Sequence, residues 1–417
     1  MAKVLIVGAG AAGLMAAGAA VRQGHQVTVL EHTDKPGQKI LVTGKGRCNV
    51  TNDCTAEEFL HHVRTNPRFL FSSLGAFPPA RTMELFESLG VELKVERGRR
   101  VFPVSDKAEE IRQALLRYAQ DAEIVYDGAK KLLLEELPPE PEAAPAMPEN
   151  PRHPKKKKAG PALRCVGVRG TSGKEYRADA VLVATGGVSY PTTGSTGDGY
   201  RIASKLGHTI VPTRASLVPL EAETDCARMQ GLSLRNVGLT LFSGDRVLYR
   251  EQGEMLFTHF GVSGPLVLSA SAHLPEKVSS CRLEIDLKPG LTAEKLDERL
   301  LRDFSENINR DFTNALDALL PQKLIPVVIE RSGIPARLKV NSIRREQRLA
   351  LRDTIKRFAI RLIARRPVEE AIVTAGGVDV REVNPRTMES KIVSGLYFAG
   401  EILDLDACTG GYNLQYI

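Results

Sequence analysis

The 417-residue chain has no tryptophan, and aromatic residues make up only 5% of it. Few flat rings are therefore on hand for stacking nucleic-acid bases. Long apolar runs are missing too: none approaches the roughly 20 residues of a membrane span. The N-terminus reads as a strand rather than a secretory leader. Cysteine is sparse, six residues at Cys48, Cys54, Cys165, Cys226, Cys281 and Cys408. They form no Cys-x-x-Cys pair and no dense framework, which disfavours a disulfide scaffold and a structural zinc. Reduced thiols fit a cytoplasmic protein without a bound metal.

What is present in excess is positive charge, formally +7. Four of those seven charges are Lys155 to Lys158. They lie in a proline-rich, charged stretch at 138–161 that cannot build a packed element and is expected as a disordered insertion. The remaining surplus is small, and Arg344, Arg345 and Arg348 have no aromatic neighbours in sequence. That pattern disfavours a nucleic-acid partner and favours a small-molecule substrate. Hydrophobic residues make up 42% of the chain, enough for a sizeable core and two or three domains.

The N-terminal residues carry the clearest chemical signal. An apolar run from Lys3 to Val7 enters Gly8-Ala9-Gly10-Ala11-Ala12-Gly13, and an alanine-rich helix follows. A second apolar run from Gln26 to Leu30 then ends in Glu31. Strand, glycine turn, helix, strand and acid in this order form a dinucleotide-binding fingerprint. Gly8 allows the tight turn, Gly10 lets the backbone approach a pyrophosphate, and Gly13 lets helix and strand pack closely. The helix N-terminus offers free N–H groups to the phosphates. Glu31 would accept hydrogen bonds from the ribose hydroxyls and repel a 2′-phosphate.

Further along, 180–184 is a continuous apolar run, as a strand buried on both faces requires. Short alternating strands follow at 217–220, 237–242, 247–249 and 282–287, a pattern of antiparallel sheet or barrel. Residues 292–355 read as helical, opening at an N-cap, Thr292. The expected fold class is α/β. A split Rossmann-type domain covers 1–200 and 367–417. An inserted antiparallel, barrel-like β domain covers 201–290 and 356–366, and a helical subdomain covers 291–355.

Four more segments are distinctive. They run Gly37 to Asn52, Ala184 to Tyr200, Gly253 to Pro265, and Ala375 to Val378 continuing at Gly400 to Gln415. With the fingerprint they closely resemble the YhiN/BaiN-like, aminoacetone-oxidase-like family of flavoproteins, over nearly the whole chain. The resemblance implies an oxidoreductase that binds FAD. It implies cofactor contacts from Lys39, Arg47, Cys48 and Asn49, and from Thr185, Gly186 and Gly187. Gly400, Glu401 and Asp404 are expected near the ribityl or pyrophosphate. Gly410, Gly411, Tyr412 and Asn413 are expected to open a helix toward the flavin. Arg47 could pair with phosphate bidentately. Cys48 is either a redox partner of the flavin or, better, a small packed residue.

Tyr190, His259 and Tyr412 are the candidate catalytic acids, each with packing as the alternative. A substrate is expected between the flavin and the inserted domain. No second glycine fingerprint lies between Tyr200 and Val368, so NAD(P)H is expected only as a transient hydride donor. The flavin would exchange hydride at N5. The family continues with a closing helix, whereas the sequence here runs to Ile417, and weaker FAD retention is expected for it. A tRNA-modifying type of flavoprotein and a non-catalytic FAD-binding sensor are the alternative readings.

Overall fold

The computed structural model describes residues 1–138, 162–223 and 225–417. The expected insertion at 138–161 lies, from 139 onward, outside the described residues. The chain divides into two compact units, 1–215 with 372–417, and 216–371.

The first unit is built on a five-stranded parallel sheet. Its strand order is Leu396–Phe398, Ala180–Val183, Lys3–Val7 (β1), Gln26–Glu31 (β2) and Glu123–Tyr126. The central strands bury apolar residues on both faces: Leu5, Ile6, Val29, Val181 and Val183 are all buried. Helix α1 (Ala11–Arg22) turns Ala12, Gly13, Leu14, Ala17 and Gly18 inward. Its small residues let it approach its neighbours: a methyl on Gly18 would sit 2.1 Å from the Tyr118 ring. A second sheet pairs Ala129–Glu136 with Leu163–Gly170. Asp127 anchors its turn, accepting hydrogen bonds from Thr171 Oγ1, from the backbone and hydroxyl of Ser172, and from Tyr176. These donors hold its carboxyl far below the usual range despite the opposing effect of burial.

The second unit contains a closed antiparallel barrel. Its order is Leu220–Ala222, Gly261–Ser263, Arg246–Phe257, Ser233–Ser243, Cys281–Asp286 and Phe358–Arg365. The two long strands run well beyond the short apolar runs visible in sequence, because polar residues open one of them, Ser233–Ser243, and interrupt the other, Arg246–Phe257, in its middle. Alternation fills the interior: Leu239, Leu241, Leu283, Ile285, Ile360 and Phe257 are buried. Helices Ala293–Glu306, Ile325–Ser332 and Arg345–Lys356 lie in the same unit, and Leu296, Leu300, Leu351 and Ile355 join its core. Thr292 caps the first of them, accepting from Lys295 N at 3.2 Å. Among the described residues no helix is long and apolar enough to cross a membrane.

Candidate functional site

The fingerprint turn is held from both sides. Gly8 has φ +102°, and a methyl there would meet the Ala184 carbonyl oxygen at 2.6 Å. A methyl on Gly13 would lie 1.8 Å from the Gly8 oxygen. Gly10 differs: nothing lies within 4 Å of where its methyl would go. At this N-terminus no side chain caps the helix, and no acid stands in its first turn. Uncapped N–H groups facing open space suit a pyrophosphate. Glu31 is buried at the end of β2. One carboxylate oxygen accepts from Ala9 N at 2.8 Å, and the other from Thr33 N at 2.8 Å and its hydroxyl at 2.9 Å. It therefore fixes the glycine turn.

A buried polar network lies at the next stage. Glu401 accepts from Lys39 Nζ at 2.6 Å, from Ser189 Oγ at 2.8 Å and from Thr374 N at 2.8 Å. Lys39 also donates to Ser189 Oγ at 2.7 Å. Thr374 Oγ1 accepts from Val188 N and Ser189 N at 2.9 and 3.1 Å. Gly187 is required here, since a methyl would sit 2.3 Å from Thr374 Oγ1. Gly186 has φ +72° at the start of the same turn. Gly400 packs against Ala12 on α1, so the network adjoins the fingerprint. Thr185 Oγ1 is buried without a hydrogen-bond partner.

The third cluster gathers around Gly410 and Gly411, both with positive φ. Asn52 Nδ2 donates to the Gly410 and Gly98 oxygens, each at 3.0 Å. A methyl on Gly411 would collide with the Thr51 carbonyl oxygen at 2.2 Å. Asn49 Oδ1 and Thr51 Oγ1 are buried here without partners. Asn413 bonds the backbone of Ala407 at 3.0 Å in both directions and so shapes the preceding loop. Asp404 is buried and accepts from Asn66 Nδ2 at 3.1 Å through one oxygen, while the other has no partner. Burial pushes its carboxyl above the ordinary value, against the Asn66 bond. Open space at Gly10, an acid at β2 and unpartnered buried oxygens at 49, 51, 185 and 404 fit a long dinucleotide such as FAD.

Three of the candidate residues have well-defined partners within the protein. Arg47 is committed elsewhere: its guanidinium bonds Glu96 and Asp106 and lies 4.1 Å over the Phe102 ring. That bond holds the Glu96 carboxyl below its usual range. Both carboxylates come from segments distant from Arg47 in sequence. Tyr412 is buried, stacked on His62 at 4.3 Å and edge-on to Phe59 at 5.2 Å. His259 is neither core nor deeply placed. It is exposed at the turn before Gly261–Ser263, with its ring edge-on to Phe260 at 5.0 Å. Cys48 is fully buried and its thiol is pushed up to about 12 by that burial, which suits packing. Tyr190 is half-buried at φ +49°, an unusual conformation for an aromatic residue.

Several contributors carry no individual signal in sequence: Asn52, Asn66, Ser189 and Thr374.

Residues 2–134 match the HI0933-like protein Rossmann domain, and 214–373 match the HI0933-like protein barrel and H2TH domain. The chain is 33% identical to a ribosomal RNA dihydrouridine synthase of Haemophilus influenzae, over 99% of this chain and 94% of that protein. It is 30% identical to a 3-dehydro-bile acid delta(4,6)-reductase of Clostridium scindens, over 100% and 96%. The solved 3-ketosteroid delta1-dehydrogenase of Sterolibacterium denitrificans overlays with a TM-score of 0.49 at 13% identity, over 100% of this chain and 98% of that one. With two family domains matched in order and relatives aligned end to end, the chain belongs to the HI0933-like protein family and is an FAD-dependent oxidoreductase.

Proposed function

We propose that this oxidoreductase is a reductase of carbon–carbon double bonds conjugated with a carbonyl, fed by NAD(P)H. The observation that carries the reading is the end-to-end similarity to two relatives whose names describe one reaction class. A 3-dehydro-bile acid with 4,6-unsaturation has double bonds in line with its ketone. Making dihydrouridine saturates a pyrimidine double bond next to a carbonyl. FAD, when bound, supplies the hydride, and the carbonyl draws the resulting charge toward its oxygen.

The residues of this chain have three tasks. The α1 N-terminus and Glu31 bind the adenosine half of the cofactor. The Lys39–Glu401–Ser189–Thr374 network orients the segment around Gly186 and Gly187. The reaction also needs a proton at the carbon next to the carbonyl, and the hydroxyl of Tyr190 is our choice for its donor. A bulky residue at positive φ stores strain, and such strain gathers at functional positions. His259 is the second candidate, because histidine is the side chain most often used as a general acid.

Anaerobic rapid mixing tests the reading in two halves. NADH or NADPH is expected to bleach the flavin, and a conjugated enone is expected to restore its colour. Tyr190→Phe is expected to slow the second half by about 100-fold or more and leave the first unchanged, as loss of a general acid does. His259→Gln is run in parallel. Equal second-half rates in Tyr190→Phe and the parent protein exclude Tyr190. A second reading, reduction of uridine within RNA, is favoured by the 33% relative. Dihydrouridine formed in ribosomal RNA, with no turnover of steroid enones, would select it.

A further inference from the structure

The barrel unit contains a cavity of about 210 Å³ beside the start of the strand Ser233–Ser243. Its floor is apolar, formed by buried residues such as Leu234, Leu320 and Leu324. Its charged lining is of one sign only, Arg235 and Lys288. The ladder to the neighbouring strand shifts register between Leu234 and Val237, so Arg235 and Asn236 stand outside regular pairing. Asn236 also lines the cavity, and its Oδ1 accepts from Gln252 at 2.7 Å, which leaves its amide N–H groups to donate.

Lys288 is half-buried, and burial, followed by nearby Arg299, holds its ammonium below the ordinary value. The acid closest in sequence, Asp286, is already engaged. One of its oxygens accepts the Lys288 backbone N–H at 3.0 Å and the other accepts Lys356 Nζ at 2.5 Å. Among the described residues neither Lys288 nor Arg235 has a carboxylate within ion-pair distance. A half-buried cation without a counter-ion costs free energy that an incoming anion would recover. A guanidinium fork, an ammonium and an amide around one space suit an anion with several oxygens. The leucine floor suits an uncharged body attached to it.

We propose that this cavity is a binding site for a phosphate ester, its phosphate on Lys288 and Arg235 and its sugar or base on the leucine floor. The ester has two chemical sources, a nucleotide within an RNA strand or a free nucleotide such as a nicotinamide dinucleotide. Neither source depends on the flavin reading, because the readout is binding rather than turnover.

The test uses the full chain as parent, Lys288→Met, Arg235→Gln and, as a control on an exposed cation elsewhere, Lys277→Met. In chloride alone, Lys288→Met is expected to melt at or above the parent temperature, since an uncompensated charge has been removed. Adenosine monophosphate at matched ionic strength is expected to raise the melting temperature of the parent and of Lys277→Met. Affinity is expected to fall about tenfold or more in the two cavity variants. A uridine-rich single-stranded RNA and NADPH form the distinguishing arms, the tighter one naming the source. If RNA binds, each cavity variant lowers the logarithmic salt slope by about 0.7, the single-strand increment for one phosphate contact. The site is refuted if the parent responds to none of these ligands. It is equally refuted if Lys288→Met binds them as the parent does, or melts well below it in chloride.

Discussion

At the scale of single residues, the contrast between Arg47 and Lys39 is instructive. Both are cations in the loop after β2, and both could face a cofactor phosphate on sequence grounds. Arg47 meets Glu96 and Asp106 at the surface, whereas Lys39 meets Glu401 in the interior. Glu401 is nearly fully buried, so Lys39 is its main compensating charge. Removing one partner of such a pair strands the other in low dielectric, at a cost of about 3 kcal/mol. Lys39→Met is therefore expected to lower unfolding free energy by about that amount in urea titrations. The double variant Lys39→Met with Glu401→Leu should recover most of it, because no buried charge is left alone. Additive losses in the double variant would show that the pair is not coupled. Ser189 and Thr374 complete this network but were not legible in sequence. Lys39 and Ser189 lie 150 residues apart, and Lys39 and Glu401 lie 362 apart. A hydrogen bond that joins distant segments leaves no local pattern.

At the scale of elements, the three fingerprint glycines separate into two kinds. Gly8 and Gly13 are packing glycines, because an added methyl would strike backbone at 2.6 and 1.8 Å. Gly10 is under no such constraint, since its methyl would enter open space, and it is the glycine proposed to face the pyrophosphate. Gly13→Ala is expected to impair folding itself, seen as loss of the cooperative thermal transition. Gly10→Ala is expected to fold with a loss of no more than about 1 kcal/mol, the usual difference at a helix start. Its defect should appear as weak FAD retention after gel filtration, read from the visible flavin absorbance. Full flavin occupancy in folded Gly10→Ala would remove the pyrophosphate from this turn. The fingerprint was legible because its demands are local: a turn, a close approach and a helix start within a few residues. The barrel strands were legible only in part. Residues 233–243 and 246–257 form two long strands, yet only 237–242 and 247–249 stand out before folding. The position of Tyr412 was similarly hidden, since its stacking partner His62 comes from a distant helix.

At the scale of the whole molecule, one unit is inserted into the other, and the strand pair at the junction explains how. Asp379 N donates to Thr209 O at 3.0 Å, and a methyl on Gly376 would fall 2.4 Å from Pro212 O. As one residue number rises by three, the other falls by three, so Ile210–Ser216 and Val373–Val378 run antiparallel. The chain therefore leaves the first unit and re-enters it along this one strand pair. Apolar alternation alone could not show this, because Ile210–Ser216 is largely polar and exposed along its middle. The geometry predicts that the first unit tolerates excision of its insert. A variant with 217–371 replaced by a short Gly/Ser turn closes an antiparallel hairpin and disturbs no strand of the parallel sheet. It is expected to be soluble, to show a cooperative thermal transition and to retain FAD with its visible absorbance. An excised protein that folds but holds no flavin would show that the cofactor site extends beyond the first unit. The fingerprint, the Lys39–Glu401 network and the Gly410–Gly411 turn would then be necessary for FAD binding without being sufficient.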